Sequence, residues 1–135
     1  MNNKENKATH LAILVQPFLD LILNGKKTIE TRFTKVKCSP FQKVKEGDII
    51  LLKQSGGQVI GEMIAGRVEY FSDLTPQKFE NLKKYSSEIC SEYEDLFWEK
   101  RKDARYITFI YVAGVKKYDK PYPFPKKDRR AWVLL

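Results

Sequence analysis

The sequence predicts an α+β fold, a small pseudo β-barrel of five to six strands with a short N-terminal helix and a helical insertion. Three observations carry this. Strand-like segments outnumber helical ones. They come in the order strand, helix, three strands, helical insertion, two strands. The longest strand candidate, VIGEMIAGRVEYF (Val59–Phe71), has Gly61 and Gly66 inside it, where glycine marks bulges and sharp bends of the kind found at barrel corners.

The elements follow in order. MNNKENKATH is polar and lacks the apolar core of a signal peptide, so residues 1–10 are expected to be a frayed tail and residues 11–135 a single domain. LAILVQ, residues 11–16, is short and apolar and stops at Pro17, as a buried strand does. PFLDLILNG reads as a short helix, with proline at its first position, Phe18, Leu21 and Ile22 on one face, and Gly25 as its stop. KTIETRF alternates, with Ile29 and Phe33 on one side and Thr28, Glu30 and Arg32 on the other, which marks a half-buried strand. Residues 34–47 read as a loop closed by the KEGD turn, DIILLKQ as a strand, and SGGQ as a hairpin turn. Thr75 and Pro76 open a helix as cap and first residue. A second helix is expected over residues 87–102, where Ile89, Tyr93, Leu96 and Phe97 fall at helical spacing. RYITFIYVAGVKKY is rich in β-formers, DKPYPFPKKD reads as a proline-rich turn, and AWVLL as a final strand.

At 135 residues the chain can bury about two-thirds of the surface it exposes when unfolded, enough for one core without metal or disulfide staples. Its longest apolar runs are far too short to span a bilayer, so no membrane partner is expected. Cys38 and Cys90 are far apart and lack metal-ligand spacing, which suits a reduced, cytoplasmic protein. His10 is the only histidine. That excludes a His-rich zinc site and leaves His-based nucleophilic catalysis dependent on one residue beside the tail, so neither metal nor cofactor is expected.

Lys and Arg number 25 against 17 Asp and Glu, a net charge of +8. A field of that sign on a small domain favours polyanions. The central stretch mixes signs, whereas the C-terminal third interleaves basic and aromatic residues, as a surface that stacks bases and contacts phosphates does. The candidates there are Lys116, Lys117, Lys126, Lys127, Arg129 and Arg130. Trp98 lies off the apolar stripe of the insertion and is a candidate ligand-facing lid, and Trp132 is either core or a stacking platform.

The densest stretch is NGKKTIETRF, Asn24 to Phe33. It is not a phosphate-binding P-loop. Asp20 stands where the first glycine belongs, Lys27 where the hydroxyl belongs, and a strand rather than a helix follows. Glu30 and Arg32 lie two apart on one strand face and can form an ion pair. Such a pair is either scaffolding, worth little if solvated and costly if buried, or part of a binding face. In the second reading Thr28, Glu30 and Arg32 offer hydroxyl, carboxylate and guanidinium side by side, and Lys27 reaches over the same mouth. That set fits a planar polar ligand such as a nucleobase edge.

QPFLDLILNGKKTIETR resembles the ASCH domain, a branch of the PUA-like superfamily. Gly25, Lys27, Glu30 and Arg32 match the family's Gly-x-Lys-x-x-Glu-x-Arg signature. EGDIILLKQ, IAGRVEYF and PYPFPKKDRRAWVLL resemble its later segments, so the likeness covers most of residues 11–135. The resemblance implies a pseudo-barrel with a cleft beside the signature strand, where RNA or modified nucleosides bind. Ligand contacts are then expected from Gly25, Lys27, Thr28, Glu30 and Arg32, with Trp98 and Trp132 nearby. Some small bacterial members remove an acyl group from N4-acetylcytidine, with a lysine base at the position of Lys27, a threonine nucleophile at that of Glu30, and a later glutamate. Here Glu30 replaces the threonine, and a carboxylate cannot serve as an activated alkoxide. The leading expectation is therefore an RNA or nucleoside binder, monomeric by preference. The alternative is a metal-independent hydrolase, an N4-acylcytidine amidohydrolase or a ribonuclease, in which Lys27 and Glu30 are catalytic. Glu62, Glu69 and the acids between Glu88 and Glu99 are the candidates for the second glutamate.

Overall fold

A computed structural model describes residues 7–125 and 128–135. Six strands form one curled sheet: β1 (Thr9–Leu14), β2 (Ile29–Thr34), β3 (Ile49–Gln54), β4 (Val59–Phe71), β5 (Tyr106–Tyr122) and β6 (Trp132–Leu134). Their order across the sheet is β2-β5-β4-β3-β1-β6. Only β1 and β3 pair in parallel, and the crossover between them holds α1 (Phe18–Leu23) and β2. Among the described residues no helix is long and apolar enough to cross a membrane.

The long strands bend where glycine was expected to bend them. The register of β4 against β5 shifts between Val59 and Gly61, and again on both sides of Ala65 as Gly66 is passed. At Gly61 a Cβ would stand 2.6 Å from the Lys116 carbonyl and 2.9 Å from a Leu23 methyl, so only glycine lets β5 and α1 approach this closely.

Two apolar clusters hold the sheet. One fills the inside of the curl with Ala12, Leu14, Leu19, Ile22, Ile50, Leu52, Met63 and Trp132. The other, around Ile29, Ile89, Phe97, Ile107 and Phe109, packs the helical insertion against β2 and β5. Burying these side chains supplies the main driving force, at about 25 cal/mol per Å² of apolar surface.

Three expectations are corrected. First, the first strand starts earlier. β1 begins at Thr9, and His10 is fully buried rather than at the edge of a tail. Second, residues 87–102 are not one helix. They split into α3 (Ser86–Ile89), a 3₁₀ turn (Ser91–Tyr93) and α4 (Phe97–Lys100), with Cys90 and Leu96 at positive φ of 64° and 58°. The carbonyls that would continue α3 are taken from outside: Glu88 O accepts from the Thr28 N–H at 2.9 Å and Ile89 O from Lys27 Nζ at 2.7 Å. Tyr93 and Leu96 consequently turn to solvent. Third, β5 continues through Pro121 instead of turning before it. β2 covers β5 only as far as Tyr111, so Pro121 lies where the outer side has no strand neighbour and its missing N–H leaves no ladder bond unmade there. The cap on α2 (Pro76–Asn81) is as expected, with Thr75 Oγ1 accepting from the Lys78 N–H at 3.1 Å.

Candidate functional site

The outer strands β2 and β6 do not pair, so the barrel is left with a seam. One side chain bridges it. Arg32 on β2 donates from Nη2 to Ile13 O on β1 at 2.9 Å and from Nη1 to Ala131 O just before β6 at 3.4 Å. Beside this bridge lies a cavity of about 820 Å³. Its wall comes from the end of β1, α1, β2, the β3–β4 turn, the insertion and the segment before β6. A six-residue helix ended by Gly25 at φ +84° throws the chain back so that Lys27 arrives over the cavity just before β2 begins.

The polar floor is Lys27, Glu30 and Arg32, all lining the cavity. Lys27 is 3% exposed and Glu30 5%. Lys27 Nζ lies 3.8 Å from Glu30 Oε1, and Arg32 Nε donates to Glu30 Oε2 at 2.8 Å. Burial pushes the Lys27 ammonium below its ordinary pKa, and the neighbouring Glu30 carboxylate only partly opposes this. A lysine ammonium has three N–H donors and a carboxylate about four acceptor sites. Ile89 O, Glu30 and Arg32 use only some of them, so both groups keep capacity for a ligand.

Arg32 is held from behind as well. Its guanidinium lies 5.1 Å from the centre of the Trp132 ring. The Trp132 Nε1–H donates to His10 Nδ1 at 3.0 Å, and His10 Nε2 meets Asp48 Oδ2 at 2.8 Å. Because indole only donates, Nδ1 must be the bare nitrogen, and the His10 proton sits on Nε2 facing Asp48. Burial alone would raise the Asp48 carboxyl. Hydrogen bonds from the Ala8 N–H, His10 and the Lys45 N–H outweigh it and hold the carboxyl below its usual range.

The opposite wall is built by the insertion. Arg101 makes a two-pronged contact with Glu94 at 2.8 and 3.1 Å and stacks on Phe97, 3.8 Å from the ring centre. These hydrogen bonds draw the Glu94 carboxyl down in pKa.

The family model described as the ASCH domain matches residues 13–129. The chain belongs to the ASCH domain family. Its fold is that of the ASCH protein of Zymomonas mobilis, with a TM-score of 0.72 at 14% identity over 95% of this chain and 87% of that one. A single-residue variant of the same protein gives a TM-score of 0.71 at 13% identity, covering 96% and 89%. The N-terminal domain of Staphylothermus marinus McrB is more distantly similar, with a TM-score of 0.50 at 16% identity over 87% and 77%. No curated protein matches the sequence.

Within this ASCH domain the expected residues separate into two groups. Lys27, Glu30, Arg32, Arg129 and Arg130 line one cavity. Trp132 is buried behind Arg32 rather than open for stacking. The others lie away from the cavity. Gly25 and Thr28 are exposed outside its lining, and the Thr28 backbone serves instead to anchor Glu88 and Val112. Trp98 is no lid here. Its ring packs edge-on to Phe33, Phe79 and Phe97 and its N–H donates to Ser86 Oγ, because an aromatic off the helical stripe still finds the core once the helix is broken. Lys116 and Lys117 are exposed on β5, opposite Glu62 and Gly61. Lys126 and Lys127 lie outside the described residues.

Of the candidate glutamates, Glu94 reaches the cavity wall. Glu62 accepts from the Tyr118 hydroxyl and Glu69 from that of Tyr111. Sequence reasoning missed Lys53, Ser55, Lys100 and Arg101 as lining residues. Only closure of the sheet brings them together, although Arg101 next to Phe97 and Trp98 was a basic–aromatic signal available in the sequence.

Proposed function

We propose that this ASCH domain binds RNA or a modified nucleoside, taking one base into the cavity over Lys27, Glu30 and Arg32. The observation that carries the reading is the state of the polar floor: a buried ammonium and a buried carboxylate, each fixed in place, each with unused hydrogen-bonding capacity, and both lining a cavity of about 820 Å³. Glu30 accepts from ring or exocyclic N–H groups, Lys27 donates to a base carbonyl, and Arg32 keeps Glu30 in place across the barrel seam. Preorganised groups of this kind lose little freedom when a ligand arrives. Seven cationic side chains against three carboxylates on the cavity wall favour a polyanion.

Titration calorimetry with a panel of free nucleosides, acylated cytidines included, and with short single-stranded RNA tests this. Binding by the wild type that weakens at least about tenfold in Glu30→Gln is expected, since a charged hydrogen bond is lost. Failure of every ligand to bind the folded wild type removes the reading.

One observation favours the hydrolase as a second reading. The Lys27 ammonium, lowered by burial, releases its proton more readily than a surface lysine, and it sits 3.8 Å from a carboxylate that can orient water. Water would add to the acyl carbon of an N4-acylcytidine and the cytosine amine would leave with a proton. Mass spectrometry of a metal-free incubation decides it: deacylated product from the wild type but not from Glu30→Gln supports catalysis.

A further inference from the structure

We infer that the cavity has a phosphate subsite on its rim, formed by Lys53 and Arg129, so that the ligand of this domain is a nucleotide unit rather than a free nucleoside. This rests on the nucleoside-binding reading of the cavity floor.

The charges on the cavity wall show where an anion belongs. All three wall carboxylates already have cations: Glu30 has Arg32 and Lys27, Glu94 has Arg101 and Lys100, and Asp128 has Arg130. Lys53 and Arg129 are left. Neither has a carboxylate partner among the described residues, and Lys53 Nζ donates to the Gln54 carbonyl at 3.4 Å. Topology places the two on either side of one residue. Lys53 is the parallel-register partner of Ile13, and the Ile13 N–H donates at 3.0 Å to the carbonyl of Ala131, two residues after Arg129. The Ser55 hydroxyl adds a neutral donor on the same rim.

The floor lysine cannot take this role. Lys27 is buried, donates to Ile89 O and lies beside the Glu30 carboxylate, which would repel a phosphate. The base therefore goes to the floor and the phosphate to the rim. A terminal phosphate of a mononucleotide and an internal phosphodiester of an RNA strand share the chemistry such a rim recognises.

The test compares, by titration calorimetry on the full chain, the four ribonucleosides, their 5′-monophosphates, and dinucleoside monophosphates that carry only an internal diester. Lys53→Gln, Arg129→Gln and Glu30→Gln are measured beside the wild type, with circular dichroism as the folding control. The expected result is that a phosphate-bearing form binds at least about tenfold tighter than its nucleoside. That advantage disappears in Lys53→Gln and Arg129→Gln while nucleoside binding is kept, whereas Glu30→Gln weakens both forms. An advantage confined to monophosphates identifies a mononucleotide ligand, and one shared by the internal diester identifies an RNA strand. Equal binding of nucleoside and phosphorylated forms overturns the subsite and leaves the floor reading intact. Absence of binding by every probe overturns both.

Discussion

Two buried polar clusters share Trp132 as a wall, and they differ in kind. On one side His10 and Asp48 are fully buried, and their hydrogen bonds close on themselves: indole to Nδ1, Nε2–H to carboxylate, and two backbone N–H groups onto the same carboxylate. On the other side Lys27, Glu30 and Arg32 are nearly as buried but border a cavity with capacity to spare. Burial and charge alone do not separate scaffolding from a binding site. The separation lies in whether the polar atoms are used up. A closed network is best explained by the fold it holds, and an open one by a molecule that completes it.

The largest expected effect breaks the closed cluster. Asp48→Ala orphans three donors in the interior and is expected to cost about 3–5 kcal/mol, read from the urea midpoint. The open cluster should respond in the opposite way. Lys27→Met removes a buried charge and leaves Glu30 paired with Arg32, so stability should change by less than about 1 kcal/mol or rise, while ligand affinity falls. A large loss of stability in Lys27→Met would make the floor scaffolding too and collapse the distinction.

The pH dependence of stability sharpens the same contrast: both groups are lowered on folding, so stability rises with pH in both windows, but at neutral pH the Asp48 shift stabilises the fold and the Lys27 shift penalises it. The Asp48 carboxyl is lowered on folding, so its contribution is fully present above the unfolded value, about pH 3.9, and is lost as pH falls through the lower folded value. Asp48→Asn should flatten that acid limb. The Lys27 ammonium is also lowered, but for a base this penalises the folded state while the group is charged. The penalty is relieved as pH rises from the folded pKa toward the ordinary lysine value of about 10.4. Wild type should gain stability over that alkaline window relative to Lys27→Met. Denaturation midpoints across pH for the three proteins check both limbs.

Trp132→Phe tests the shared wall. The ring under Arg32 is retained and only the N–H to His10 is lost, so a cost of about 1–2 kcal/mol is expected with ligand binding nearly unchanged. A large loss of affinity instead would mean that the closed cluster positions the open one.

The open cluster was legible in the sequence and the closed one was not, for a physical reason. Lys27, Glu30 and Arg32 lie within six positions, and the period of a strand puts Glu30 and Arg32 on one side without knowledge of the rest of the fold. His10 has its partners 38 and 122 positions away, so a lone histidine after a polar run looked like part of a tail. Lys53 and Arg101 were hidden in the same way, and Glu94 could not be told from the other candidate glutamates, since β3 and the insertion become one wall only when the sheet curls. The insertion failed differently. Its apolar spacing does fit a helix, but Lys27 and the Thr28 N–H capture the carbonyls that would have continued it. Tertiary partners overrode a local pattern, and they did so at the cavity.

The smallest expected effect concerns Lys116 and Lys117, which are basic and exposed but lie outside the cavity. If they touch only the backbone of a longer RNA, each change to Gln should reduce the slope of log affinity against log salt by about 0.7 for a single strand. Mononucleotide binding should stay as in the wild type, because nothing in the cavity is altered. Fluorescence anisotropy with a labelled oligonucleotide at several salt concentrations reads the slope. An unchanged slope would confine RNA contact to the cavity and its rim, and the net charge of +8 would then count as general solubility and steering rather than as an extended track. A reduced slope would show that an open, solvated surface contributes through counterion release alone, whereas the buried floor contributes through fixed geometry.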